Sequence, residues 1–321
     1  MYVVGLNTYG GPDVLRLMQL PDPHPGLGQV RIRVRAAGVN PVDVMVREGS
    51  YAQQFAQAQP PFVPGMDIAG TIDEVGEDID PSCGITIGQD VVGVVDNYGS
   101  YGGYSQYVCL PAASVIPVPG GATFPAAASF LMNALTARSA LDTLGLPPDS
   151  TLLVTGAAGA VGTYTVALAA AEGLRVVAIA AKEDARLLRS TGAIEIIERG
   201  HDVAARVRHA FPEGVDAVVD AALLYKQIAP TVRDNGTLIY LRQGNDTGLD
   251  RGIRAVFVRV RQRVTDHAAI VRLGQQASDG LLPMRVAATF PAVAAAAAHR
   301  RLAEGGLRGR IILDFDELHK H

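Results

Sequence analysis

Cysteine is scarce: Cys83 and Cys109 are the only two in the chain. Two thiols cannot build a disulfide framework, and neither sits in a CxxC spacing, so a reducing cytoplasmic setting is expected. Tryptophan is absent, so no indole has a role to play. A basic excess is absent as well. Lys and Arg number 28 against 32 Asp and Glu, a net charge of −4, which leaves no positive field to draw in nucleic acid. Long apolar runs are missing. No stretch of about 18 apolar residues lacks charge, so no membrane span is expected. The run Ala292 to Ala298 is too short for one and is followed by His299, Arg300 and Arg301. Met1 to Leu20 carries Asn7, Asp13 and Arg16 and does not read as a signal peptide.

What is present fits a globular α/β protein. The 321 residues are 48% hydrophobic and 19% charged, too long for one simple core and suited to two domains. The 35 glycines and the recurrent alanines suit close helix-on-sheet packing. The first third reads as mostly antiparallel β structure. Val30 to Ala36 alternates apolar and basic with period 2, the mark of a half-buried strand. Thr71 to Val75 and Val91 to Val95 read as further strands. Near residue 120 the character changes. Pro117, Pro119, Gly120 and Gly121 read as a linker, and Pro125 to Leu144 as one long helix. Strands at Leu152 to Thr155, Arg175 to Ala181, Val215 to Asp220 and Thr237 to Leu241 then alternate with helical patterns, which implies a doubly wound parallel sheet. Helices over Asp266 to Asp279 and Pro291 to Glu304 and a strand over Arg310 to Leu313 follow. The tail from Glu317 is expected to be loose.

The most informative string runs from Leu153 to Gly162 and contains Gly156, Gly159, Ala160, Val161 and Gly162. It follows a strand and opens a helix, the context in which a Gly-rich loop cradles a dinucleotide pyrophosphate. Small residues let the backbone approach closely, and the helix start favours negative charge. Ala157 stands where the usual fingerprint has its first Gly. NAD binders place an acid about 20 residues on, to hold the ribose 2′-hydroxyl. Here the next strand ends in Ala180-Ala181-Lys182, with Arg186 and Arg199 as neighbours. A cationic site suits the 2′-phosphate of NADPH. The alternative is a solvated Lys182, with Glu183 or Asp184 serving NAD.

Further strings carry a family resemblance. Ala37 to Tyr51, Pro64 to Gly70, Gly102 to Tyr107, Ala126 to Ala137, the Gly-rich loop, and finally Ala298-His299-Arg300 with Gly309 to Leu313 resemble, in order, the motifs of the zinc-independent, zeta-crystallin-like quinone oxidoreductases. These belong to the medium-chain dehydrogenase/reductase superfamily. The resemblance implies a GroES-like β domain built from residues 1–121 and 267–321 and a Rossmann NADP-binding domain over residues 122–266. It also implies a reaction cleft at their junction, a small-molecule acceptor, and dimer formation. The zinc-dependent branch uses a Cys in the first motif and a His in the second. Asn40 and Met66-Asp67 stand there, the four-cysteine zinc loop is missing, and the 7 histidines lack ligand spacing. A metal-free hydride transfer is therefore expected.

The resemblance also names candidates. Tyr51 matches a tyrosine thought to supply or relay a proton in enoyl reductases; the alternative is a packed loop-end ring. Asn40 resembles a residue near the nicotinamide, or is a turn Asn. Thr136 resembles a cofactor-contacting Thr, or is an ordinary helix Thr. Ala255 to Val260 reads as a strand that passes the nicotinamide at Phe257 and offers an apolar edge for a homodimer; the alternative is a covered edge in a monomer. Met45, Arg138 and Leu223 depart from the family pattern and leave the substrate open. Three readings follow: an NADPH-dependent reductase of quinones or other conjugated carbonyls, an enoyl thioester reductase, and an NADPH-binding protein with a non-redox role.

Overall fold

The computed structural model describes residues 1–98, 101–242 and 248–320. It divides into two compact units, Met1–Met132 with Val264–His321, and Asn133–Arg263.

The chain opens with β1 (Tyr2–Gly5), β2 (Arg16–Gln19) and β3 (Gln29–Val39). Helix α1 (Pro41–Glu48) follows, then β4 (Asp67–Val75), β5 (Asp90–Val94), β6 (Tyr107–Pro111) and β7 (Val115–Pro117). Next come α2 (Phe124–Ala127) and α3 (Leu131–Leu144). The second unit continues with β8 (Thr151–Thr155), α4 (Ala160–Ala171), β9 (Arg175–Ala180), α5 (Ala185–Thr191), β10 (Glu195–Glu198) and α6 (Val203–Ala210). It ends with β11 (Val215–Asp220), β12 (Val232–Tyr240) and β13 (Arg254–Phe257). The chain closes with α7 (His267–Ser278), β14 (Val286–Pro291), α8 (Ala295–Ala303) and β15 (Arg310–Asp314).

The first unit is a seven-stranded sheet of order β14-β15-β3-β4-β5-β7, with β6 also paired to β3. All its pairings are antiparallel except β14 with β15. The alternation in β3 explains its place at the centre. Val30, Ile32 and Val34 are fully buried on one face while Arg31, Arg33 and Arg35 turn outward. The last strand, β15, lies antiparallel on β3, with Ile311 opposite Val39 and Leu313 opposite Ala37. The two ends of the chain thus share one core with Leu6, Ile68, Tyr104 and Phe315. This is the GroES-like arrangement.

The second unit is a six-stranded, all-parallel sheet of order β10-β9-β8-β11-β12-β13. The chain runs outward from β8 to β10 and returns to β11 on the other side of β8. The order therefore reverses between β8 and β11, which puts the ligand crevice of such a sheet at their carboxyl ends.

Several elements differ from expectation for local reasons. The helix expected over Pro125 to Leu144 is broken between α2 and α3. Asp67 Oδ1 accepts the Met132 N–H at 2.7 Å, so a carboxylate caps the first turn of α3 and fixes the break. The segment before β12 holds only short 3-10 turns, Tyr225–Gln227 and Ala229–Thr231, because Pro230 interrupts any helix there. Helix α1, β1, β2, β6, β7, β10 and β14 were not foreseen. The strand expected over Ala255 to Val260 stops at Phe257. The tail is not loose: Asp316–Lys320 forms a 3-10 turn, Leu318 is buried, and a His319 ring nitrogen donates to the Val34 carbonyl at 2.7 Å. His321 lies outside the described residues. Among the described residues, no helix is long and apolar enough to cross a membrane.

Candidate functional site

The Gly-rich loop connects β8 to α4. Gly156 has φ 56°, a left-handed conformation, and a Cβ there would lie 3.2 Å from the Ala222 nitrogen. A Cβ on Gly162 would lie 2.3 Å from the Gly156 carbonyl oxygen, closer than any real side chain. Both positions thus require glycine. The Gly159 N–H donates to Gly156 O at 2.9 Å. The Thr163 hydroxyl bonds to Ala157 O at 3.0 Å and Gly159 O at 2.8 Å. Ala157, in place of the usual first Gly, is fully buried. The loop is therefore tied shut by its own backbone. Gly159 caps α4, so the N–H groups of Ala160, Val161 and Gly162 are first-turn donors with no intrahelical acceptor. A half-exposed loop that ends in free amides at a helix start fits a pyrophosphate.

The cations gather at the neighbouring strand ends. Ala180 and Glu198 are register partners in the parallel pair β9 and β10, and the Arg199 N–H donates to Ala180 O at 2.9 Å. Lys182 and Arg199 thus follow adjacent strand ends, and both are exposed. Arg186 is exposed on α5. Asp184 is buried and Glu183 exposed.

On the other side of the switch point, the loop after β11 is held under strain. Asp220 Oδ2 accepts the Tyr225 N–H at 2.7 Å, Asp220 Oδ1 accepts the Thr155 hydroxyl, and Thr155 Oγ1 accepts the Ala222 N–H at 2.9 Å. Leu223 has φ 59° and Tyr225 φ 47°, conformations that favour glycine. The missing family glycine near position 223 is thus a real backbone cost. Tyr240 packs against Tyr225 at 6.4 Å and stacks on Phe257 at 5.9 Å, and the Arg259 guanidinium lies 5.3 Å from the Phe257 ring centre. Phe257 and Thr136 are half-buried. Arg138 is engaged structurally, in ion pairs with Asp142 at 2.7 Å and with Glu172.

The first unit holds Asn40 and Tyr51. Asn40 caps α1 and is 2% exposed. Its backbone N–H donates to Asp43 Oδ2 at 2.7 Å, and its side-chain Nδ2 donates to Asp67 Oδ2 at 3.0 Å. Asp43 also accepts the Gly65 N–H at 2.9 Å. Burial pushes the Asp43 carboxyl up to about 7, against the pull of the Asn40 and Gly65 amides. Burial likewise pushes Asp67 up to about 6, against the Asn40 and Met132 donors.

A buried side-chain series continues from Asp43. Arg47 Nη1 donates to His299 Nδ1 at 3.2 Å. An arginine has only donors, so Nδ1 accepts and the proton sits on Nε2. That nitrogen donates to the Tyr104 hydroxyl at 3.0 Å, and the hydroxyl donates to Asp43 Oδ2 at 3.4 Å. Burial, then the Arg47 charge, pull the His299 imidazole down to about 3. Burial holds the Tyr104 phenol well above its ordinary value. Four motif strings thus meet in one buried series. The strings had pointed to these residues, but not to their contact.

Tyr51 lies in the turn after α1, half-buried, with its ring edge-on to Tyr98 at 6.0 Å. Tyr98 lines a cavity of about 450 Å³ together with Phe55, Phe62, Tyr101, Tyr107 and Cys109. Met45 is half-buried on α1. Among the described residues, no group of three or more His, Cys, Asp or Glu could hold a metal ion. Asp43 and Asp67 spend their oxygens on the donors named above.

Known families match parts of both units. The alcohol dehydrogenase GroES-like domain family matches residues 26–120, and the zinc-binding dehydrogenase family matches residues 191–313. The mouse synaptic vesicle membrane protein VAT-1 homolog-like is 30% identical over 221 residues, covering 68% of this chain and 51% of that protein. The chain therefore spans about half the length of that relative. The chloroplast envelope quinone oxidoreductase homolog of Arabidopsis thaliana is 26% identical over 273 residues, 82% of each chain. Among solved structures, the quinone oxidoreductase from Coxiella burnetii has a TM-score of 0.85 at 25% identity, over 98% of this chain and 99% of its own. A mycobacterial protein complexed with NADPH has a TM-score of 0.85 at 27% identity, over 98% and 100%. An NAD-dependent alcohol dehydrogenase has a TM-score of 0.82 at 28% identity, over 98% and 99%. With GroES-like and dinucleotide-type sheets in one chain, and motifs in the same order as these relatives, the protein belongs to the medium-chain dehydrogenase/reductase superfamily, in its quinone oxidoreductase branch.

Proposed function

We propose that the protein is an NADPH-dependent oxidoreductase that reduces a quinone or other conjugated carbonyl without a metal. The observation that carries the cofactor choice is the pairing of Lys182 and Arg199 at adjacent strand ends, beside a Gly-rich loop shaped for a pyrophosphate. These cations fit a 2′-phosphate. NADPH, when bound, supplies the hydride. The loop amides of Ala160 to Gly162 hold the pyrophosphate, with Arg186 as a further cation near the adenine end. Thr136, Phe257 and Asn40 are the candidates, by the family resemblance, for contact with the nicotinamide half. Tyr51 keeps its phenol proton for the acceptor, and the aromatic cavity beside it suits a flat apolar acceptor. An enoyl compound is the second reading, because Tyr51 offers the proton that a reduced C=C bond requires. The β13 edge serves a homodimer, and the two free thiols suit the cytoplasm.

The test is a panel of quinones, enals and enoyl thioesters followed by loss of reduced-nicotinamide absorbance. Turnover with NADPH is expected. No turnover with either reduced cofactor on any acceptor would leave only the non-redox reading. Titration of both cofactors against wild type and Lys182→Ala tests the cofactor choice. Wild type is expected to prefer NADPH by about tenfold or more, and Lys182→Ala to lose that preference. Equal affinities in wild type would sink the assignment.

A further inference from the structure

The Tyr51 side chain has little to hold it. It follows α1 at the start of a turn, where the Tyr51 carbonyl accepts the Gln54 N–H at 2.9 Å and the Phe55 N–H at 3.3 Å. The residue is half-buried, and among the described residues its phenol has no hydrogen-bond partner. Its ring meets one other ring, that of Tyr98, at 6.0 Å and 60°. Tyr98, by contrast, is wedged. Its ring stands at 90° to Phe55, 5.2 Å away, and Phe55 packs against Phe62 at 5.7 Å. Phe62 stacks on Tyr9 at 5.1 Å, and its backbone exchanges two hydrogen bonds with Leu6, both of 2.9 Å. Phe55 is buried and Leu6 fully so. The Tyr98 N–H is tied to Asp96 Oδ1 at 3.2 Å. A chain of interlocked rings thus runs from the core of the first unit to Tyr98 and ends on Tyr51. Edge-to-face contacts favour one mutual orientation, whereas a lone phenol in a turn rotates among its side-chain rotamers.

We infer that Tyr98 is the positioning residue for Tyr51: its ring holds the phenol in the orientation from which the proton is given to the acceptor. The inference rests on the proposed role of Tyr51 as proton source. In that role the α-carbon of a conjugated enal takes the phenol proton, and its β-carbon takes the hydride that NADPH supplies in becoming NADP⁺. The phenolate regains a proton from solvent. Such a transfer needs the acid held at the right distance and angle. Tyr98 also lines the cavity of about 450 Å³. On the proposed function, the ring that walls the acceptor's cavity is therefore also the support of its proton source. Tyr98 gives no proton itself; it acts through Tyr51.

The decisive variant is Tyr98→Leu, which removes the ring, assayed with NADPH on a conjugated enal and on a quinone. On the enal, kcat should fall by about tenfold, less than in Tyr51→Phe because the phenol is still present. On the quinone, whose oxygens solvent can protonate, kcat should fall far less. Loss of cavity wall would raise KM for both acceptors alike. Tyr98→Phe keeps the ring and should recover most of the enal kcat. In the Tyr51→Phe background, Tyr98→Leu should cost no further enal kcat, because no phenol proton is left to aim. Tyr98→Met, flexible and without a ring, takes the place of Tyr98→Leu should that variant fail to fold. A second readout needs no turnover. In protein with ring-¹³C tyrosine, the Tyr51 signals, assigned by their absence from Tyr51→Phe, should move in Tyr98→Leu as the neighbouring ring current is lost. They should stay near the wild-type position in Tyr98→Phe.

A merely structural role for Tyr98 would lower kcat equally on enal and quinone, and would add a further loss in the Tyr51→Phe background. Either result overturns the inference, as does an enal kcat that Tyr98→Phe fails to recover. An unchanged enal kcat or an unmoved Tyr51 signal in Tyr98→Leu overturns it too. If Tyr51→Phe is impaired on the enal and Tyr98→Leu is not, the Tyr98 role alone is wrong. Failure of the underlying reading looks different. Full enal turnover by Tyr51→Phe would remove Tyr51 as proton source, and the Tyr98 role with it. Wild type active on quinones but on no enal would remove the step that Tyr98 supports and leave the quinone reading standing. Wild type active on neither would overturn the proposed function itself.

Discussion

Two regions build their chemistry in opposite ways. The Gly156 to Gly162 loop works almost without side chains. Its shape comes from two glycines that tolerate no Cβ, and its donors are backbone amides. The buried series in the first unit is made mostly of side chains: Arg47, His299, Tyr104 and Asp43, joined through the Asn40 backbone N–H and side chain to Asp67. Backbone donors at a helix start act on any anion that fits. Buried side chains select by polarity and protonation, because in a low-dielectric interior an unmatched donor or acceptor is costly. The first kind of region suits a cofactor's phosphates. The second fixes the direction of each hydrogen bond inside the first unit.

The comparison can be broken most sharply at Tyr51. Tyr51→Phe keeps the ring against Tyr98 and removes the proton. With an enoyl acceptor, turnover should fall by about 10²–10⁴-fold while NADPH affinity holds. With a quinone, whose oxygens solvent can protonate, the loss should be small. Full activity on every accepted substrate would make Tyr51 a packing residue.

The backbone region is probed by Gly162→Ala. Its new Cβ meets the Gly156 carbonyl at 2.3 Å, so the loop must open. Destabilisation by about 1–3 kcal/mol and weaker NADPH binding are expected, measured by denaturant unfolding and titration. A variant with wild-type stability and affinity would show that the loop is not closed as described.

The side-chain region is probed by pH. His299 is held near 3 in the folded state against an ordinary 6.5. As pH falls below 6.5, the unfolded chain takes up a proton that the folded one refuses. Stability is therefore intact above 6.5 and lost toward 3, by about 1.4 kcal/mol per pH unit. Asp43 and Asp67 act in the opposite sense: their raised values favour the folded state at low pH and cost stability as pH rises from about 4 toward 6 and 7. His299→Gln preserves both hydrogen-bond directions without titrating, so its comparison with wild type isolates the histidine. Wild type should match it near pH 7 and fall behind it between pH 6.5 and 4.5. A constant difference across that range would mean that His299 is not held neutral.

The smallest effect belongs to Leu223. Leu223→Gly relieves a φ of 59° at some cost in unfolded-state entropy. A net gain of about 0.5–1 kcal/mol is expected in unfolding experiments. A loss would mean that the leucine side chain contributes more by packing than its backbone costs.

Legibility follows the same division. The β8–loop–α4 unit could be read because its determinants lie within a dozen contiguous residues and act locally. The strand period of Val30 to Ala36 was legible for the same reason. The break in the helix expected over Pro125 to Leu144 was not, because its cause is Asp67, far away in sequence. The motif strings around Asn40, Asp67, Tyr104 and His299 stood out, but their meeting did not.

What the sequence determined alone is the strands β8, β9, β11 and β12, the Gly-rich turn and the cations beyond it. These depend on period, φ freedom and charge within short spans. What only the tertiary structure decided is which buried polar atom faces which. Pairing β15 with β3 encloses the chain ends in one core, where His299 meets Tyr104 and Asn40 meets Asp67. No local propensity encodes that contact. It is set by the rule that a buried donor must find an acceptor, and only the folded chain shows which one it found.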